Sequence, residues 1–138
     1  MATVADNAGP WGMQVYSFEP QDPANPLGRL RPEDLSRLPF GALELDNQGR
    51  VVSFHDTEPD GGSEANGVIT GRLFFTEIAK WLAQSLVADE FAKGVANSAM
   101  NVVFDCAVPS SQQKIRIHLK VSPILGTFWV FIKRLRQN

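Results

Sequence analysis

The sequence predicts an α+β domain with helices on one face of a five-stranded antiparallel sheet, preceded by an N-terminal arm acting as a cap. Three observations carry this. A strand-like pair flanks the turn Asp46-Asn47-Gln48-Gly49. Apolar residues then recur at helical spacing from Leu73 onward. Three longer runs close the chain, and in one of them, Lys114-Ile115-Arg116-Ile117-His118-Leu119-Lys120, the alternation is strict. That pattern buries one face of a strand and wets the other. The arm is residues 1–30 and the domain residues 31–138.

In the arm, Pro10, Pro20, Pro23 and Pro26 rule out a continuous helix or a central strand. Gly12 to Phe18 nonetheless alternates as an added edge strand would. Trp11, Met13, Val15, Tyr16 and Phe18 are too many large apolar groups for a disordered tail. The arm is therefore expected to pack on the domain or on a second copy, with Trp11, Val15, Tyr16 and Phe18 as candidate interface residues. Pro32 to Leu38 reads as a short helix, since Pro32 suits the first helical position and Glu33 and Asp34 follow in the first turn. Pro39 ends it. The hairpin runs from Gly41 to Leu45 and from Arg50 to His55, and Thr57 to Ser63 is a loop by its Pro and Gly content. Phe74, Ile78, Trp81 or Leu82, and Leu86 mark a helical stretch. Asp89 to Asn97 is a further helix with Phe91, Val95 and Ala92 inward. The closing strands are Asn101 to Val108, Lys114 to Val121 and Phe128 to Leu135, the first two joined by the turn Pro109-Ser110-Ser111-Gln112.

The chain has 138 residues and a formal net charge of −2, with 13 Lys and Arg against 15 Asp and Glu. The basic residues are scattered except for Lys133-Arg134-Leu135-Arg136. That cluster is too short to track phosphates, so no nucleic-acid partner is expected. With Cys106 as the single cysteine, no internal disulfide can form, which suits a reducing compartment. Met1 to Asp6 has neither a basic start nor an apolar core, and no apolar run is long enough to span a bilayer. A cytoplasmic protein that does not engage a membrane is the expectation.

Chemistry-bearing patterns are sparse. Asp56, Glu58 and Asp60 alternate as in some cation loops, yet Pro59 and the missing distal Glu argue against a calcium hand. The two histidines, His55 and His118, read as surface strand residues, and with one distant cysteine they make no zinc site. Cys106 shares its strand face with Phe104 and Val108, which marks a buried inert thiol. No phosphate loop, nucleophile elbow or paired-acid pattern is present. No catalytic residue, metal or haem is expected.

Four runs carry a family resemblance: Leu38-Pro39-Phe40-Gly41-Ala42-Leu43-Glu44-Leu45-Asp46-Asn47-Gln48-Gly49-Arg50; Gly71-Arg72-Leu73-Phe74-Phe75; Phe91-Ala92-Lys93-Gly94-Val95-Ala96; and Phe128-Trp129-Val130-Phe131-Ile132-Lys133-Arg134. In this order and spacing they resemble photoactive yellow proteins, bacterial blue-light sensors of the PAS superfamily, from about Leu38 to Leu135. The resemblance implies the PAS fold. It also places Trp81 where that family has the cysteine that carries a p-coumaroyl thioester. Phe54 falls at the family's chromophore-binding Tyr and Glu58 at its Glu. Gly62 falls at the supporting Thr, Glu64 at the shielding Arg, and Cys106 at an aromatic position on the third strand.

Trp81 has no thiol for the thioester, and a buried phenolate without donors is costly. No p-coumaroyl cofactor is therefore expected, and an inward indole would fill much of its volume. The expectation is a non-photoactive regulatory module for signalling that works in trans, as a homodimer or with a separate signalling protein, since no output domain follows the last strand. The alternative is a small apolar ligand held without a covalent bond near Phe54, Glu58, Phe74, Trp81 and Cys106. A small isomerase or cyclase is more distant. It needs a convergent acid and base, and the opposite parity of His55 and Glu58 turns that pair to different sides.

Overall fold

Alternation in the closing strands builds the centre of the sheet. A computed structural model of the chain describes residues 3–4, 13–35, 37–56, 69–111, 113–122 and 124–135. Trp11, Glu58, Gly62 and Glu64, and with them the whole loop expected from Thr57 to Ser63, lie outside the described residues. The strands are β1 (Thr3–Val4), β2 (Gln14–Ser17), β3 (Gly41–Leu45), β4 (Val51–Asp56), β5 (Asn101–Ala107), β6 (Lys114–Ser122) and β7 (Thr127–Arg134). They form one sheet in the order β1-β2-β5-β6-β7-β3-β4.

The five expected strands are all present and pair antiparallel, with ends within about a residue or two of the sequence reading, the usual uncertainty of strand boundaries. The sheet reaches further than five strands. The alternating arm segment becomes β2, which pairs parallel to β5, and β1 adds antiparallel to β2.

On the inner face Ile115, Ile117, Leu119 and Val130 are fully buried, and Ile132 is nearly so. Leu43 and Leu45 of β3 and Phe104 and Cys106 of β5 share that face through the strand registers. Gly41 starts β3 where backbones nearly touch: a Cβ there would collide with the His55 carbonyl. The register slips between Glu44 and Leu45, leaving Val52 of β4 exposed.

The helical layer departs most from the sequence reading. Helix α1 spans Pro32–Leu35 only. No continuous helix follows Leu73. Phe74–Ile78 forms one π-helical turn, Ala79 leaves helical geometry at φ −111° and ψ 65°, and Lys80–Leu82 forms a 3-10 turn. Apolar recurrence every three or four residues signals one buried side, and a broken path over the core meets that demand as well as a helix does.

Helix α2 spans Leu86–Asn97, starting before Asp89 because Ser85 caps it: its hydroxyl accepts from the Val87 N–H at 3.2 Å. Phe91 is buried and Val95 half-buried, whereas Ala92 is exposed because it lies on the far side of the helix from Val87 and Phe91. Gly94 lets the helix approach Met100, whose Cβ and Cγ lie 2.9 Å from where a Gly94 Cβ would be. Phe74, Phe75, Phe91 and Phe128 make successive ring contacts at 4.9, 5.3 and 5.7 Å, joining the helical layer to β7. Phe18, Leu27 and Leu30 of the arm belong to the same core.

Candidate functional site

Trp81 sits in the 3-10 turn beside the fully buried Leu82, and of the two it is Leu82 that enters the core. The indole is half-buried and packed against the core edge. It lines a cleft of about 800 Å³ between the proline-rich arm (Pro20, Pro23 and Pro26) and the approach to α2 (Gln84 and Ser85). The arm is pinned beside this cleft by Asn25, whose side-chain amide donates to the Ala107 carbonyl at 2.7 Å. Trp81 Nε1 is buried and has no hydrogen-bond partner among the described residues. A buried N–H left in that state costs about 1–3 kcal/mol. The expected inward indole filling a chromophore volume is thus replaced by an indole at the seam between arm and helices.

The other pocket candidates do not gather around it. Phe74 is fully buried behind Phe75. Phe54 is half-buried on the inner face of β4, opposite Leu43. Cys106 is buried on β5, and burial pushes its thiol well above the usual range, with Asp105 adding to the shift. In the sheet β6, β7 and β3 separate Cys106 from Phe54, a span of about 19 Å at ordinary strand spacing. A single small ligand does not bridge them.

The arm strand divides the interface candidates between two faces. Tyr16 stacks on Phe104 at 5.3 Å on the inner side, and Phe18 is buried. Their rings are spent on this chain's own core. Val15 alone of the described three faces outward, paired with Val103.

The outer face holds what the sequence reading missed. Met13, Val15, Val103, Arg116, His118, Phe131 and Lys133 line a second hollow of about 440 Å³. Phe131 stacks on Trp129 at 5.8 Å and lies 5.9 Å from the His118 ring. Arg116 grips Asp105 through two hydrogen bonds of 2.7 and 2.9 Å. His118 is on the expected side of β6 but half-buried, its Nε2 2.8 Å from Asn101 Oδ1. Burial holds its pKa below the usual histidine value, and Lys120 and Arg116 lower it further. The signal was legible in Phe128-Trp129-Val130-Phe131-Ile132, a strand run that carries large apolar side chains on both faces. At the strand's end Arg134 lies 4.2 Å over the Phe40 ring, while Lys133 is exposed. No group of three or more metal-ligating side chains occurs among the described residues. No helix among them is long and apolar enough to cross a membrane.

No protein-family model matches the sequence. Curated relatives do. The chain is 32% identical over 124 residues to photoactive yellow protein of Rhodobacter capsulatus, an alignment covering 88% of this chain and 99% of that protein. It is 30% identical over 125 residues to the Cereibacter sphaeroides protein of the same name, covering 89% and 100%, and 29% identical over 126 residues to that of Halochromatium salexigens, again covering 89% and 100%. Among solved structures it is similar to the photoactive yellow protein domain of the sensor histidine kinase Ppr from Rhodospirillum centenum, with a TM-score of 0.58 and 21% identity over 78% of this chain and 95% of that domain. That likeness supports the fold, and the sequence relatives cover 88–89% of this chain: the chain belongs to the photoactive yellow protein family and has its PAS fold.

Proposed function

We propose that this family member has given up the covalent chromophore and acts by binding, as a regulatory cytoplasmic PAS module in trans rather than as an enzyme. One observation carries the reading: the position that resembles the family's anchor holds Trp81, and the chain's single thiol is elsewhere and unreactive. Thioester formation needs a thiolate. Cys106 is 1% exposed and its thiol is held protonated by burial. The test is incubation of the purified chain with activated p-coumaric acid, followed by absorption spectroscopy and intact mass measurement. The expected result is no added mass and no band beyond the aromatic region, and a stable visible band would overturn the reading.

A second reading, a sensor of a small non-covalent ligand, draws on the cleft beside Trp81. The unpartnered Nε1–H there would be satisfied by a ligand acceptor after a small shift of the indole. Native mass spectrometry of protein purified from its own host checks it: a bound mass favours the sensor, and a bare chain counts against it.

A further inference from the structure

Among the described residues of the sheet's outer face, cations outnumber the acids placed to answer them. The register sets Arg116 directly opposite Lys133, and Lys120 opposite Trp129. Like charges facing across a strand pair destabilise a sheet. The acids that β3 and β5 place on this face are already engaged. Asp105 is bound at both oxygens by Arg116. Glu44 accepts from Ser53 at 2.9 Å and from Thr127 at 2.7 Å. Lys120 and Lys133 are exposed and form no ion pair among the described residues. Between these charges lies an apolar floor. Val103 is 5% exposed and paired with Val15, and Phe131 continues it toward the half-buried Trp129.

We propose that this hollow docks an acidic peptide segment of a partner protein, seating one of its apolar side chains on Val15, Val103 and Phe131 and its flanking carboxylates against Lys133 and Lys120. The proposal rests on the reading of the chain as a partner-binding module and names the partner's chemistry. Charge complementarity selects this occupant. A carboxylate beside Lys133 relieves its opposition to Arg116, whereas a basic segment adds to it. A second copy meeting the same face across a two-fold axis sets cation against cation. Apolar anchors set such affinities, and rim charges set selectivity and salt dependence.

The test uses the full chain as bait for selection from random displayed peptides, with the enriched sequences resynthesised with a fluorophore and measured by anisotropy. Enriched peptides are expected to place Asp or Glu on both sides of an aromatic or aliphatic residue, and their binding should weaken with added salt. Lys120→Glu with Lys133→Glu should weaken them by about tenfold or more without lowering the melting temperature, since both side chains are exposed and the change removes the opposition of Lys133 to Arg116. Val15→Asp should also weaken them by removing the apolar floor, with some loss of melting temperature because Val15 is partly buried against Val103.

Absence of an acidic class, or peptides that bind the lysine variant as tightly as the parent chain, overturns the groove. A homodimer in light scattering that Lys133→Glu dissolves assigns the face to a second copy and also overturns it. Peptides that bind elsewhere leave the module reading standing while sinking this site. A chromophore band sinks the module reading whatever the peptides do.

Discussion

The two faces of strand β6 differ in kind. Inward, Ile115, Ile117 and Leu119 are completely buried and interchangeable in chemistry. Outward, Arg116, His118 and Lys120 each have a specific neighbour: Asp105, Asn101 and Trp129. Burial is non-directional and tolerates any well-fitting apolar set, so the inner face specifies a fold shared with photoreceptors. Charge and hydrogen bonding are directional, so the outer face is where the proposed docking site lies.

That contrast is breakable by substitution. The largest effect belongs to the inner face. Ile117→Ala should cost about 2–5 kcal/mol in denaturant unfolding, whereas Lys120→Ala three residues on should stay within about 0.5 kcal/mol. Comparable losses would erase the distinction. Trp81, at the seam, should fall between the two. A fully buried Trp→Ala costs about 3–5 kcal/mol. Here the indole is half-buried and its N–H unpaired among the described residues, so Trp81→Ala should cost about 1–2 kcal/mol. A loss at the full core value would mean that the side chain is core after all.

On the outer face, Asp105→Asn should cost about 1 kcal/mol, because the pair is two-pronged yet partly exposed at 40% and 25% of its side chains. The loss should persist in high salt if it is hydrogen bonding, and fade if it is charge.

The smallest effect is a titration. His118 has its folded pKa below its unfolded value, so the unfolded chain takes up the proton first. Its contribution is therefore fully present above the unfolded value of 6.5 and declines as pH falls below it. The groups facing it are Asn101 and Asp105 on β5, Arg116 and Lys120 on β6, and Phe131 and Lys133 on β7. Melting curves from neutral to mildly acidic pH should drop more steeply for the parent chain than for His118→Gln. Parallel curves would show that the ring gains nothing by staying neutral.

Period-two alternation made the strands legible because each side of a strand meets one environment. It was readable in Lys114 to Lys120 without knowing any partner. The segment from Phe74 to Leu82 was not, since three- to four-residue spacing is common to α, 3-10 and π geometry, and only the backbone break at Ala79 distinguishes them. For the same reason Leu82 could not be told from Trp81 as the core residue. The site was less legible still. Phe54, Trp81 and Cys106 belong together only through a likeness to family positions, and the sheet order puts β6, β7 and β3 between Phe54 and Cys106. The outer hollow needed tertiary knowledge, because Met13 and Val15 meet Phe131 and Lys133 only once a parallel strand joins distant parts of the chain.

That parallel strand also governs how the chain survives its own folding. β2 covers β5, whose Val102, Val103 and Phe104 are buried on both faces. The contact joins residues separated by most of the sequence, so loop closure makes it among the slowest to form. Until it does, β5 is an open edge with an apolar run and no charge before Asp105, the kind of template that recruits other chains. The arm is then a guard against aggregation as much as a part of the core. Proteolysis before Phe18 would turn a well-behaved domain into one that precipitates while its remaining strands are still folded.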